Sequence, residues 1–328
     1  MPEPAPLPTP EAPVVDPLPD FPPTYNNPIK PGHAADPWVI YHKETDTYYM
    51  AQSKKGTRLV IHASRDLTSF DEQGVTVWTP PADIKEIWAP ELHFIDGIWY
   101  IYVAMDHGNN ADHRMFVFKS TSSDPTQSFE LVGKITSPDD NWAIDGTVFR
   151  YTPNGKLYFV WSGWSDEPYI AEMCSPTEIC SERVLLHEPN FDWQKSGDSG
   201  VNEGPEILKH DGRWFIVYSA AGSWSDDYCL ALMGIDNGAD PMNASNWWRL
   251  DDRPVMWKNP DGGVWAPGHA SFTTARDGNP YVVYHAIAAK GAGWDGRSAR
   301  AEAFGWNLDG SPAFPRPVGF NVSLHHPA

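Results

Sequence analysis

The chain has 328 residues, with 24 Lys plus Arg against 43 Asp plus Glu, a formal net charge of −19 and 16 Trp, 13 Tyr, 14 Phe, 32 Pro and 26 Gly. Polyanions bind basic patches, so this charge argues against nucleic acid and anionic membrane as partners. The aromatic, Gly and Pro surplus speaks against a helical bundle, the length suffices for a core without a disulfide scaffold, and no apolar run approaches the roughly 18 residues of a transmembrane helix.

Residues 1–31 hold 12 of the 32 prolines. They lack the charged and apolar regions of a signal peptide and read as an extended leader ahead of one domain at 32–328.

From there a turn-plus-strand phrase recurs. It runs Thr45-Asp-Thr-Tyr-Tyr-Met-Ala, Asp96-Gly-Ile-Trp-Tyr-Ile-Tyr, Asn154-Gly-Lys-Leu-Tyr-Phe-Val, Asp211-Gly-Arg-Trp-Phe-Ile-Val and Asp277-Gly-Asn-Pro-Tyr-Val-Val. Asp-Gly or Asn-Gly before alternating apolar residues signals a hairpin whose two central residues take φ > 0. Each phrase follows a short apolar segment with a distinctive head: Asp36, Trp88, Asp145, Glu203 and Trp265. The heads are 52, 57, 58 and 62 residues apart. Such a period, with several short strands in each, predicts an all-β, five-bladed β-propeller; a β-sandwich is the alternative. The innermost strand of each blade lines the axis. The heads then converge at one mouth, bringing Asp36, Asp145 and Glu203 together beside Trp88 and Trp265.

Three carboxylates in an aromatic-walled pocket push each other's pKa values apart, so that one holds a proton while another stays ionised. Glycosidic hydrolysis needs that division, and Trp faces suit sugar rings. Taken singly, Asp36-Pro37 and Asp145-Gly146 are ordinary turn pairs. Glu203, entering a strand that reads as buried, is less easily explained by structure alone.

Cys174 and Cys180, six positions apart, are able to close a small loop or to remain thiols; Cys229 reads as a buried small hydrophobe. Asn243-Ala-Ser and Asn321-Val-Ser are sequons. With the acidic charge these features lean towards an extracellular protein.

The segments Ala35-Asp36-Pro37-Trp38, Trp88-Ala89-Pro90-Glu91, Ala143-Ile144-Asp145-Gly146 and Asn202-Glu203-Gly204-Pro205-Glu206, with Ser64-Arg65-Asp66-Leu67, resemble, in order, the motifs of glycoside hydrolase family 43. The resemblance covers essentially the whole chain after the leader. It implies an inverting mechanism with Asp36 as general base, Glu203 as general acid and Asp145 orienting Glu203 and keeping its pKa raised. Inversion calls for acid and base roughly 6.5–9.5 Å apart. It also implies Arg300 as a sugar contact, with Arg297 as rival, and His269 on the channel axis beside a possible structural calcium or other ion. No cofactor is required. Trp88, Trp164, Trp224 and Trp265 are candidate subsite walls; Trp164 and Trp224 serve equally as packing residues of the repeat.

The opening Tyr25-Asn-Asn-Pro-Ile29 and the phrase Glu86-Ile-Trp-Ala-Pro-Glu91 look most like exo-acting α-L-arabinofuranosidases. The expected activity is release of terminal α-L-arabinofuranose from arabinan, arabinoxylan or arabino-oligosaccharides, with exo action on α-1,5 links. The expected enzyme is a secreted monomer acting on neutral plant cell-wall polysaccharide. Endo-arabinanase and β-xylosidase are the alternatives within the family, and a non-catalytic carbohydrate-binding propeller is the alternative outside it.

Overall fold

The computed structural model of the protein describes residues 21–54, 56–135, 138–164, 166–197 and 200–327. Residues 1–20 of the expected leader, and Ser165, lie outside the described residues.

Five antiparallel sheets follow one another along the chain, over residues 38–78, 86–134, 143–185, 202–249 and 265–303. Their first strands are Trp38–His42, Glu86–Ile95, Ala143–Tyr151, Asn202–His210 and Trp265–Thr274. Each of these touches the next, and the fifth touches the first. The sheets are therefore the blades of a closed five-bladed propeller, and these strands surround its axis.

The second strand of each blade explains the aromatic surplus. In Ile98–Asp106, alternation sends Trp99, Ile101 and Val103 into the seam with blade 1, and Tyr100, Tyr102 and Ala104 into the seam with blade 3. A strand buried on both faces needs apolar residues at every position. Each large side chain so buried contributes roughly 1.5–3 kcal/mol. Every seam between consecutive blades holds one such cluster.

The hairpin turns match expectation in part. Asp96-Gly97 and Asp211-Gly212 have φ of 49° and 82°, and of 46° and 72°. At Asn154-Gly155 and Asp277-Gly278 only the glycine is left-handed. In the first of these, Gly155 N–H bonds back to Tyr151 C=O, so the turn is wider than two residues.

Residues 21–31 behave differently from the leader to which the sequence reading assigns them. Thr24–Tyr25 pairs with Leu324–His325. Ile29 N–H donates to Ala299 C=O and Ala34 N–H to Arg297 C=O, each at 2.9 Å, while Phe70 N–H donates to Ile29 C=O. Tyr25 and Ile29 are buried among blade 5 and blade 1 side chains. Residues 24–34 thus lie along the last strand of blade 5 and tie it to blade 1, reinforcing the closure made by the inner strands.

Cys174 and Cys180 are disulfide-bonded, and Cys229 is buried. Among the described residues no helix is long and apolar enough to cross a membrane.

Candidate active site

At the mouth, the inner strands of blades 2 to 5 are irregular. Register slips between Trp88 and Glu91, Ile144 and Thr147, Glu203 and Glu206, and Trp265 and Gly268. A bulge re-aims side chains and commonly borders a site. At each of the five mouth positions one residue is left-handed: Asp36 at 47°, Ala89 at 43°, Asp145 at 53°, Gly204 at 55° and Ala266 at 50°. Two of these are alanines, so the strain belongs to the repeat rather than to the carboxylates. The heads named from sequence are thus offset by one: Asp36 and Asp145 occupy the left-handed position, whereas Trp88, Glu203 and Trp265 precede it.

The repeat brings Asp36, Asp145 and Glu203 around one pocket of about 240 Å³, walled by Trp88, Trp294 and Arg297. That volume lies below the roughly 300–1,000 Å³ of drug-sized ligand sites and suits a single sugar.

Asp36 is surrounded by donors. Its Oδ1 lies 3.3 Å from Arg297 Nη1, 3.3 Å from His285 Nδ1 and 3.4 Å from His269 Nδ1. Burial alone would raise its pKa. His269, the Arg297 guanidinium and the His285 hydrogen bond outweigh burial and hold the carboxyl well below the usual range. Burial pushes both imidazoles down, His285 to about 4. At neutral pH Arg297 is therefore the permanent cation beside Asp36.

Glu203 is shifted the opposite way. Burial, then the charges of Asp166 and Asp36, push it up to about 8, against the Tyr228 hydrogen bond. Tyr228 Oη donates to Glu203 Oε1 at 2.7 Å. Asp145 is 4% exposed, and its Oδ2 accepts the Gly204 N–H at 3.1 Å, which ties it to the residue after Glu203. Burial and the Glu203 and Asp36 charges raise its pKa well above the ordinary value. One pocket therefore holds an ionised carboxylate and a protonated carboxyl at neutral pH.

The other candidates divide. Trp88 lines the pocket and stacks on His113 at 3.9 Å. Trp224 meets the pocket residue Trp294 edge-on at 6.0 Å. Trp164 is 59% exposed and, with Asn110, Trp142 and Asp166, lines a separate cavity of about 260 Å³. That cavity lies on the Glu203 side, because Asn202 N–H donates to Asp166 C=O at 2.9 Å. Trp265 is not among the pocket walls: it packs with Tyr228, Ala266 and Ile287, with the Lys258 and Lys290 ammonium groups each 5.6 Å from its ring centroid.

Arg300 does not reach the site. It is fully buried, donating to Tyr284 Oη and to Val318 C=O beside Glu302. Its rival Arg297 is the arginine at the pocket.

The His269 surroundings do not fit calcium, which takes six to eight oxygens. Its ring faces Gly204 and an Asp36 carboxylate already beside Arg297. Among the described residues no group of three or more His, Cys, Asp or Glu is arranged to hold a metal.

Sequence reasoning missed Trp294, Tyr228 and His285. Trp294 lies outside the repeat, between the left-handed glycines Gly293 and Gly296. That glycine-rich stretch was the available signal for a mouth loop.

Below the mouth, the channel holds a second ring of polar groups. Trp38 Nε1 donates to Glu206 Oε2 at 2.9 Å, and His93 Nε2 lies 2.8 Å from Glu91 Oε2. Burial raises Glu91 well above its ordinary value; burial and then Glu91 push Glu206 up to about 8; burial pushes His93 down to about 4. Burial thus disfavours the charged form of each of these three groups.

A model of glycosyl hydrolases family 43 matches residues 25–312. An extracellular exo-α-(1→5)-L-arabinofuranosidase of Streptomyces avermitilis is 32% identical over 92% of this chain and 65% of its own length. α-L-Arabinofuranosidase 43 of Humicola insolens is 31% identical over 87% of this chain and 62% of its own length. The chain thus spans a little under two thirds of these relatives. A crystal structure of α-L-arabinofuranosidase from Lactobacillus brevis superposes with a TM-score of 0.84 at 32% identity, covering 91% of this chain and 98% of that one.

Proposed function

The chain belongs to glycosyl hydrolases family 43, and from that premise we propose that it releases terminal α-L-arabinofuranose from neutral arabinan or arabino-oligosaccharides, by exo action on α-1,5 links with inversion. The observation that carries this reading is the opposed surroundings of two carboxyls in one sugar-sized pocket, Asp36 beside Arg297, His285 and His269 and Glu203 buried against the Tyr228 hydroxyl. Asp36, ionised, takes a proton from water as the water oxygen bonds to the anomeric carbon. Glu203, protonated, gives its proton to the glycosidic oxygen as the carbon–oxygen bond breaks. Asp145, which accepts the Gly204 N–H next to Glu203, keeps Glu203 oriented, while burial and the Asp166 and Asp36 charges keep its pKa raised. Arg297 keeps Asp36 ionised, and Trp88 and Trp294 face the sugar.

The leaving group departs past Glu203, where Trp142 and Trp164 offer an aromatic surface. The arabinofuranose preference rests on the names of the relatives, and exo action on the small pocket. The disulfide and the extracellular relatives support secretion. A non-catalytic propeller has no use for the opposed carboxyls.

Product analysis on linear arabinan beside xylan tests the reading. Arabinose alone, formed from chain ends and lost in Asp36→Asn and Glu203→Gln, is the expected result. Early oligomers, xylose release, or activity surviving both substitutions would overturn it. Proton NMR of the first product should show the β-anomer.

A further inference from the structure

A cavity of about 530 Å³ opens on the Asp36 side of the catalytic pocket. It shares Asp36, Trp88 and Arg297 with that pocket, so the two spaces are continuous. It runs outward over blade 1, past Gln52, Lys30 and Glu72. Hydrolysis of a single unsubstituted terminal sugar makes no use of it.

Its walls hold unspent hydrogen-bonding capacity. Gln52 is 6% exposed, and no hydrogen bond joins its side-chain amide to any described residue. A primary amide in that position is unusual unless a ligand or solvent completes it. Lys30 is 4% exposed, and its ammonium makes one hydrogen bond, at 3.2 Å to the carbonyl of Pro31, out of three it is able to donate. Among the described residues the charges balance: Lys30, Lys54 and Arg297 stand against Asp36, Glu72 and Glu86. His33 and His62 are pushed down by burial. Balanced charge with spare donors and acceptors suits a neutral polyhydroxylated ligand rather than a uronate, and Trp88 supplies an aromatic face.

The side of the pocket decides how such a ligand is attached. The leaving group departs past Glu203, so a sugar on the Asp36 side is carried by the furanose itself. We propose that this cavity is a subsite for a second neutral sugar linked to the arabinofuranose in the catalytic pocket, so that the substrates include arabinofuranosides already substituted on the ring. This rests on the arabinofuranosidase reading above. The chemistry is unchanged: water adds to the anomeric carbon, the aglycone leaves with the proton, and the disaccharide is released intact.

The test compares para-nitrophenyl α-L-arabinofuranoside with its two derivatives bearing α-L-arabinofuranose at the ring positions O2 or O3. The expected result is that at least one derivative yields nitrophenol and an intact disaccharide. Gln52→Leu, and separately the rim substitution Glu72→Ala, should lower kcat/KM for that derivative about tenfold, the value of one lost hydrogen bond, and leave the simple arabinofuranoside within about twofold. Cleavage of the simple compound with none of the derivatives cleaved overturns the subsite and spares the enzyme reading. So does cleavage of a derivative that neither substitution affects. Failure to cleave the simple compound overturns the enzyme reading, and the subsite with it.

Discussion

The phenolic oxygen of Tyr228 stands 2.7 Å from Glu203 Oε1. The Tyr228 ring lies nearly parallel to His285, 5.6 Å away at 9°, and His285 Nδ1 is 3.3 Å from Asp36 Oδ1. One buried stack therefore joins the proposed acid to the proposed base. It has room only because residue 268 is glycine: a Cβ there would enter the Tyr228 ring. The hydroxyl stabilises the Glu203 anion, so Tyr228→Phe should raise the Glu203 pKa further above about 8. The basic limb of the kcat/KM profile should move up by about one unit, because a hydrogen bond to a charged group is worth roughly 1.5–3 kcal/mol. Loss of rate without movement of that limb would mean that Tyr228 only packs. Gly268→Ala should act in the same direction by displacing the ring.

Arg297 and Arg300 lie three residues apart and should fail differently. Arg297→Gln removes the permanent cation at Asp36, so the Asp36 pKa rises and the acid limb of the profile moves up. A rate loss of at least about tenfold should accompany this. Arg300→Met should leave the profile in place and lower stability by about 1–3 kcal/mol, because it unties Tyr284, Glu302 and the Val318 carbonyl. Denaturant melts and pH–rate profiles of the two variants separate these outcomes.

Asn27 makes the segment before blade 1 part of the ring. Its Nδ2 donates to Ala301 C=O at 3.2 Å and its Oδ1 accepts Ala301 N–H at 2.9 Å. Asn27→Ala removes both bonds in a buried seam and should cost about 1–3 kcal/mol in a denaturant melt, with KM unchanged. Unchanged stability would mean that the segment does not hold blades 5 and 1 together.

The blade count was legible because every blade repeats the same physical demand. Each needs an inner strand that opens at the mouth and a second strand apolar on both faces, as in Ile98–Asp106. The three carboxylates were legible for the same reason: they sit at the mouth of that repeat. The one-residue offset between Asp36 and Glu203 was not, because a bulge changes register without changing composition. Arg300 was mistaken for a sugar contact although Glu302 lies two residues on, and alternation puts both on one face, where they meet in the core. Tyr228 and His285 stand in apolar runs and read as packing; only the fold shows that the first touches Glu203 and the second Asp36. Residues 21–31 were assigned to the leader because prolines dominate the stretch up to Pro31, while Tyr25 and Ile29, which carry the packing, are few.

The channel below the site predicts how stability depends on pH. Glu206, paired with the Trp38 indole and facing Glu91, has its pKa pushed up to about 8, burial being the largest cause. An unfolded glutamic acid titrates near 4.3. Between these values the folded state holds a proton that the unfolded state has lost, so stability falls as pH rises through the window. The stability tied to this proton is fully present below about pH 4 and is lost as pH climbs towards 8. Glu206→Gln keeps the shape and an acceptor for the indole but cannot ionise. The difference in Tm between Glu206→Gln and the parent should therefore grow more positive from pH 4.5 to pH 8. The comparison cancels the opposite contribution of Asp36, whose pKa is lowered, because both proteins carry it. A difference that stays flat across the window would mean that Glu206 is ionised in the folded channel at neutral pH, and that the ring of polar groups below the mouth is charged.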